Sequence, residues 1–324
     1  MKLLITGVAG FVGSTLAERL LKDGHQVVGI DSLTSYYSNE IKKSNIQTLI
    51  THPQFEFHQE DLLDSPLDRR LDGVQVVFHQ AGQPGVRKSW GKDFTDYVDW
   101  NILASQKVLE ACKAAINQPR VVYASSSSIY GNATTYPTTE NDLPLPISPY
   151  GVSKLAAEHL MSLYAENYGL TTVSLRYFTV YGPKQRPDMA FTRFVTAAQT
   201  DQIITIFGDG SQVRDFTYVD DVVEANILAG IACDPAPGAV FNVAGGSSIS
   251  VNEVLETVAE IHGQPLNIKY VGRSLGDAIR TGGATQKISD ELGWHPNVSV
   301  DDGLAQQYKW ASKNLATLTN QIAD

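Results

Sequence analysis

Tyr150-Gly151-Val152-Ser153-Lys154 sets a phenol and an ammonium four residues apart, which places both on one face of a helix. A free tyrosine releases its proton near pH ~10 and is a weak base at neutrality. A cation beside it favours the phenolate and lowers that value, so the pair could take a proton from an alcohol. Upstream, the apolar run Arg120-Val121-Val122-Tyr123-Ala124 ends in four serines, Ser125 to Ser128, followed by Ile129-Tyr130-Gly131. Hydroxyls massed at the end of a strand could form a catalytic rim or an ordinary polar loop. A Tyr-Lys pair at this spacing often arises by chance, so its surroundings decide.

Thr6-Gly7-Val8-Ala9-Gly10-Phe11-Val12-Gly13 follows a short apolar run and opens an amphipathic one. Glycines in such a place allow a tight turn and close backbone approach, so a pyrophosphate can rest on the helix N-terminus. Asp31 ends the next apolar run, 18 residues past Gly13. A carboxylate there accepts hydrogen bonds from an adenine ribose and repels a 2′-phosphate, which favours NAD over NADP. An oxidised nicotinamide would add a second positive charge near Tyr150, and hydride could leave for it as the phenol takes the proton.

These groups need a frame. Lys2–Thr6, Gln26–Asp31, Phe55–His58, Val74–His79, Arg120–Ser125 and Thr171–Tyr177 read as strands. Phe11–Lys22, Glu40–Ile50, Asp96–Ala115 and Pro149–Tyr168 read as helices. Strands separated by helical crossovers predict an α/β fold with a doubly wound parallel sheet. After Tyr181-Gly182-Pro183 glycine and proline break the rhythm, as a smaller cap region would. The expected division is a dinucleotide-binding domain over 1–178 with about 213–243, and a cap over 179–212 with about 244–324.

The chain has 324 residues, 25 Lys and Arg against 35 Asp and Glu, and a formal charge of −10. That balance argues against nucleic-acid or acidic-membrane partners; an anionic ligand would depend on a few placed arginines. No apolar run reaches the ~18 residues a membrane span needs. The start, Met1-Lys2-Leu3-Leu4-Ile5, is broken too soon by Gly7 and Gly10 to read as a signal peptide. Cys112 and Cys233 lack metal spacing and read as two buried free thiols in a reducing, cytoplasmic setting. The seven histidines form no metal or triad pattern, and His79 and His159 read as structural.

The glycine spacing, with Tyr150 and Lys154 downstream, resembles the extended short-chain dehydrogenase/reductase family. The resemblance implies further cofactor contacts at Phe11, Val12, Asp61, Leu62, Gln80, Ala81, Asn101, Tyr177 and Val180, beside Gly7, Gly10, Gly13, Asp31, Tyr150 and Lys154. Ser126, four residues before Tyr130, takes the place of the family's third catalytic member. Ser127 and Ser128 then stand where nucleotide-sugar 4,6-dehydratases usually carry Asp-Glu. Without those acids the chemistry reduces to oxidation and re-reduction at one carbon, which is epimerisation.

Arg176-Tyr177-Phe178-Thr179-Val180-Tyr181-Gly182-Pro183 and Arg186-Pro187-Asp188-Met189-Ala190 resemble the substrate-side motifs of nucleotide-sugar epimerases. The likeness extends to Gln83-Pro84-Gly85-Val86-Arg87 and to Val213-Arg214-Asp215-Phe216. It implies substrate contacts at Arg87, Ser126, Ser127, Ser128, Tyr150, Thr179, Arg186, Met189, Arg193, Arg214, Asp277 and Arg280. Arg214 is expected on the diphosphate, since a forked guanidinium pairs two phosphate oxygens. Either Arg273 or Arg280 could be the second. Thr179, where galactose-type epimerases carry asparagine, and Arg186 imply a sugar carboxylate. The expected activity is NAD-dependent 4-epimerisation of a UDP-sugar, UDP-glucuronate to UDP-galacturonate, in a homodimer paired through helices. UDP-glucose or UDP-N-acetylglucosamine epimerisation is the alternative, and a non-catalytic NAD-binding sensor is the alternative of another class.

Overall fold

The computed structural model describes residues 1–272, 278 and 280–319. The first half alternates as expected: β1 (Lys2–Thr6), α1 (Phe11–Lys22), β2 (Gln26–Ile30), α2 (Asn39–Ile50), β3 (Phe55–His58), α3 (Leu67–Arg70), β4 (Val76–His79), α4 (Phe94–Tyr97), α5 (Ala104–Ala114), β5 (Arg120–Ser126), α6 (Pro149–Tyr168) and β6 (Thr172–Tyr177). The rest is shorter-stepped: β7 (Thr179–Tyr181), α7 (Ala190–Gln199), β8 (Ile204–Phe207), β9 (Val213–Arg214), β10 (Phe216–Tyr218), α8 (Val219–Ile227), β11 (Ala239–Val243), β12 (Ile249–Ser250), α9 (Val251–His262), β13 (Ile268–Val271), α10 (Gln286–Leu292), α11 (Val300–Lys313) and α12 (Leu315–Thr319).

Seven strands form one parallel sheet in the order β11-β6-β5-β4-β1-β2-β3. Its central strands β1, β4 and β5 are mostly apolar and buried because both faces are covered, whereas the edge strand β3 is only partly buried. Side chains still alternate: Leu3, Ile5 and Val122 enter the core under α1, α2 and α8, whereas Leu4, Val121 and Tyr123 enter the core under α5 and α6. Order reverses between β1 and β4, so their carboxyl ends flank the crevice where ligands of such sheets bind. Beyond β6, three two-stranded sheets pair β7 with β10, β9 with β12, and β8 with β13. Val254, Leu304 and Trp294 from this half join the same hydrophobic cluster as Leu3 and Phe78.

Helix α6, which carries the Tyr-Lys pair, is sharply delimited. The Ser148 hydroxyl accepts from Gly151 N at 3.1 Å, Pro149 occupies the first turn, and Gly169 closes the helix at φ 69°. Three expectations need correction. The helix expected over Asp96–Ala115 starts at Phe94 and passes through a π-helical segment, Val98–Leu103, before α5; that wider turn seats Asn101. Cys112 is buried, but Cys233 lies after α8 where packing is looser, and is only half-buried. His79 is a core residue between Thr6 Oγ1 (2.7 Å) and Ser105 Oγ (2.9 Å), whereas His159 lies on the exposed face of α6. No helix among the described residues is long and apolar enough to cross a membrane.

Candidate active site

A cavity of about 440 Å³ opens along the carboxyl ends of the parallel strands. Gly7, Gly10, Phe11, Val12 and Gly13 line it at the end of β1. A Cβ on Gly7 would fall 2.7 Å from Ala81 N, and one on Gly13 2.2 Å from Gly7 O, so the turn folds tightly on itself. Gly10 caps α1 without a side chain and the first turn has no acidic residue, which leaves backbone N–H groups available to an anion. Asp31 follows β2; its carboxylate accepts from Ala9 N at 3.0 Å and Leu33 N at 2.8 Å. Burial raises its proton affinity, against those N–H groups and Lys42.

The expected adenine-side residues stand nearby. Asp61 accepts from Leu63 N (2.9 Å) and Trp100 Nε1 (3.2 Å), and Leu62 lines the same wall. After β4, Ala81 N donates to Thr6 Oγ1 at 3.2 Å. Gln80 Nε2 donates to Asn226 Oδ1 at 2.9 Å, while Tyr177 Oη donates to Gln80 Oε1 at 3.1 Å. Val180 completes that side. Asn101 is the exception among the expected cofactor contacts: it does not line the cavity. Its amide accepts from Gln83 N at 2.7 Å and donates to Ser153 Oγ at 2.9 Å, so it ties the loop after β4 to α6. Gly82 must be bare for this, since a Cβ there would meet Asn101 Oδ1 at 2.7 Å and Lys154 Nζ at 3.6 Å.

Tyr150, Lys154 and Ser126 face the cavity together. Tyr150 stands edge-on to Tyr97, ring centres 6.2 Å apart, and shares a hydrogen bond with Ser126. Ser126 also accepts from Ser128 N at 3.1 Å, which winds Ser127–Tyr130 into a 3-10 turn and brings Ser127 and Ser128 onto the rim. The Lys154 ammonium lies 4.7 Å from the centre of the Tyr123 ring. Burial lowers its proton affinity to about 7, opposed by Glu158 one turn later. Burial likewise raises that of Tyr150, opposed by Ser126 and Arg186.

Glu158 anchors a buried network beneath the rim. It accepts from Ser125 Oγ at 2.6 Å and pairs with Arg176 at 2.7 Å; Arg176 in turn donates to Tyr130 Oη at 2.5 Å, and Tyr130 to Asn242 Oδ1 at 2.7 Å. Ser125 is thus turned toward α6, away from the role shared by the other three serines.

The expected substrate contacts divide between two spaces. Thr179, Arg186 and Met189 line the first cavity. Arg87, Arg193 and Arg214 line a second, of about 410 Å³. Tyr36, Gly85 and Thr179 line both. The Arg87 guanidinium lies over the Phe207 ring at 4.3 Å. Burial and the nearby Arg87 both weaken Arg193's hold on its proton. Arg186 is not a waiting charge: its Nε and one Nη bind Asp188 at 2.9 and 3.0 Å, and this pairing outweighs burial to keep it charged. Arg280 lines neither space; its guanidinium lies 4.8 Å over Tyr136 and reaches Ser248 Oγ at 3.4 Å. Asp277 and Arg273 lie outside the described residues. Among the described residues no cluster of His, Cys, Asp or Glu could hold a metal.

Sequence reasoning missed Tyr36, Lys42, Trp100 and Glu158. Lys42 reaches from α2 to Thr34 O at 2.6 Å beside Asp31. Only Glu158 carried a legible signal, since it lies four residues past Lys154 on the same helix face.

The model of the NAD dependent epimerase/dehydratase family matches residues 3–244. YtcB of Bacillus subtilis, an uncharacterized UDP-glucose epimerase, is 41% identical, covering 96% of this chain and 98% of its own. The UDP-glucuronate 4-epimerase of Thermodesulfobacterium geofontis is 35% identical over 96% of each. The crystal structure of UDP-glucuronic acid 4-epimerase from Bacillus cereus, in complex with UDP-glucuronic acid and NAD, superposes with a TM-score of 0.92 at 41% identity, over 97% of this chain and 99% of that one. The cavity at the strand ends, the glycine turn and these likenesses agree: this chain belongs to the NAD dependent epimerase/dehydratase family.

Proposed function

We propose that this protein is an NAD-dependent 4-epimerase that interconverts UDP-glucuronate and UDP-galacturonate. One observation carries the reading: Tyr150, Ser126 and Lys154 share a cavity with the glycine turn, and that cavity meets an arginine-lined one at Thr179. The uncovered N-terminus of α1 and the Asp31 carboxylate fit a dinucleotide without a 2′-phosphate. Bound there, NAD supplies the hydride acceptor and later the donor.

The side chains do the rest. Tyr150 takes the proton of the sugar 4-hydroxyl, with Ser126 hydrogen-bonded to hold phenol and hydroxyl in line. The Lys154 ammonium stabilises the phenolate. Once C4 is a ketone, the sugar turns over within the cap so that the opposite face of C4 would receive the hydride, and Tyr150 returns the proton to the C4 oxygen. Arg87, Arg193 and Arg214 hold the diphosphate while this happens. Ser127 and Ser128 offer hydroxyls but no carboxylic acid, so nothing at the rim eliminates water from the keto sugar.

Residues 1–178 with about 213–243 form the dinucleotide-binding part in this reading, and 179–212 with about 244–324 the cap. Leu103, Val152, Leu163 and Tyr168 are about half exposed along α5, α6 and the turn before them, which supports a homodimer paired through these helices. Met161, on the same helix, is buried in the core. A cytoplasmic setting agrees with two free cysteines.

The Arg186–Asp188 pair favours a second reading, a UDP-glucose 4-epimerase, because the cation meant for a carboxylate already has one. Incubation with UDP-glucuronate and with UDP-glucose, followed by NMR of C4 inversion, separates the two. Inversion of UDP-glucuronate alone is expected. Arg186→Ala should then raise KM for UDP-glucuronate, since Asp188 is left to repel it; turnover of UDP-glucose only would replace the first reading by the second.

A further inference from the structure

Tyr36 lies in the loop between Asp31 and α2, yet it lines both cavities. Its hydroxyl stands 2.0 Å from where a Cβ on Gly85 would be, and Gly85 holds φ +96°. Only glycine at that position lets the phenol reach so far. The Lys88 ammonium lies 5.0 Å from the ring centre and the Arg186 guanidinium 5.9 Å, so the ring is held by cations. Among the described residues the hydroxyl has no hydrogen-bond partner. Burial raises its proton affinity to about 12, with Asp188 adding and Arg186 opposing, so at neutral pH it is a donor.

A nucleotide sugar that fills both cavities has its sugar beside Tyr150 and its diphosphate reaching the arginines of the second cavity. The sugar-proximal phosphate then falls at the neck where the two spaces meet. We propose that Tyr36 is a substrate-binding residue of this neck, donating its phenolic hydrogen bond to the sugar-proximal phosphate of the nucleoside diphosphate sugar. The inference rests on the function proposed above. It also explains how turnover keeps its grip: the ketone must leave Tyr150 and present its other face, while the nucleotide stays in place. A donor on the proximal phosphate fixes the pivot of that turn.

The test is calorimetric binding of UDP and of UMP to the protein and to Tyr36→Phe. Loss of one hydrogen bond to a charged oxygen should weaken UDP about ten-fold or more. UMP, which lacks that phosphate, should bind unchanged and so reports an intact fold. Gly85→Ala, which pushes the ring aside, should repeat the pattern. Equal UDP affinity in Tyr36→Phe overturns the inference, and so does an equal loss of UDP and UMP. A wild-type protein that binds neither nucleotide overturns the proposed function instead.

Discussion

The two cavities manage charge in opposite ways. In the first, the protein answers its own ions: Asp31 by two N–H groups and Lys42, Lys154 by Glu158, Arg186 by Asp188. In the second, burial and the nearby Arg87 weaken Arg193's hold on its proton, and Asp188 on the same wall opposes them only in part. The first is polarised before any substrate arrives, which suits proton and hydride transfer. An anion beside Arg193 would restore that arginine's hold, which suits capture. Chemistry and affinity should therefore fail separately.

The largest effect belongs to the first cavity. Tyr150→Phe removes the acid–base group but leaves the glycine turn and arginines untouched. We expect kcat to fall about 10³-fold with UDP binding unchanged. Turnover that survives would show that the two spaces do not divide the labour this way. Arg193→Ala should do the reverse: KM for the UDP-sugar rises about ten-fold and kcat changes little, with a weaker salt dependence than wild type. A drop in kcat with no change in KM would place Arg193 in the chemistry.

The same contrast governs what the sequence made legible. Near the first cavity, function rides on regular elements. Gly7 to Gly13 must follow a strand, Asp31 must end the next, and Tyr150 and Lys154 must share a helix face, so periodicity found them. The boundary of α6 was readable for the same reason, because Ser148, Pro149 and Gly169 mark it chemically. Asn101 was named from resemblance, but its place in a π-helical turn, tying Gln83 to Ser153, was not legible because no local pattern announces such a turn. Around the neck, Tyr36 is set by a loop whose course depends on the distant Gly85, while Arg186 is held by Asp188 two residues on, a local pairing that its sequence pattern does not announce. Arg280, which sequence reasoning could not separate from Arg273, bridges through its main chain to Val213, next to Arg214, while its side chain is drawn to Tyr136 and Ser248.

Glu158 tests how the first cavity keeps its balance, and its effect is the smallest. The groups facing Lys154 are Tyr150 and Glu158 on its own helix, the neutral His79 on β4 and the Tyr123 ring on β5; Arg176 on β6 meets it only through Glu158. Of these only Glu158 strengthens the lysine's hold on its proton. Since that hold is weaker in the folded than in the unfolded chain, this lysine's contribution to stability grows as pH rises from about 7 toward the ordinary lysine value. Catalysis runs the other way, because it needs the ammonium. Glutamine at 158 carries no charge, so the proton leaves at lower pH and the alkaline limb of kcat should move down by about one unit. The same change strands Arg176 and should cost about 3 kcal/mol in a thermal melt. Glu158→Gln combined with Arg176→Met removes both buried charges: stability should recover while the limb stays low. A limb that returns with stability would make Glu158 a packing residue and nothing more.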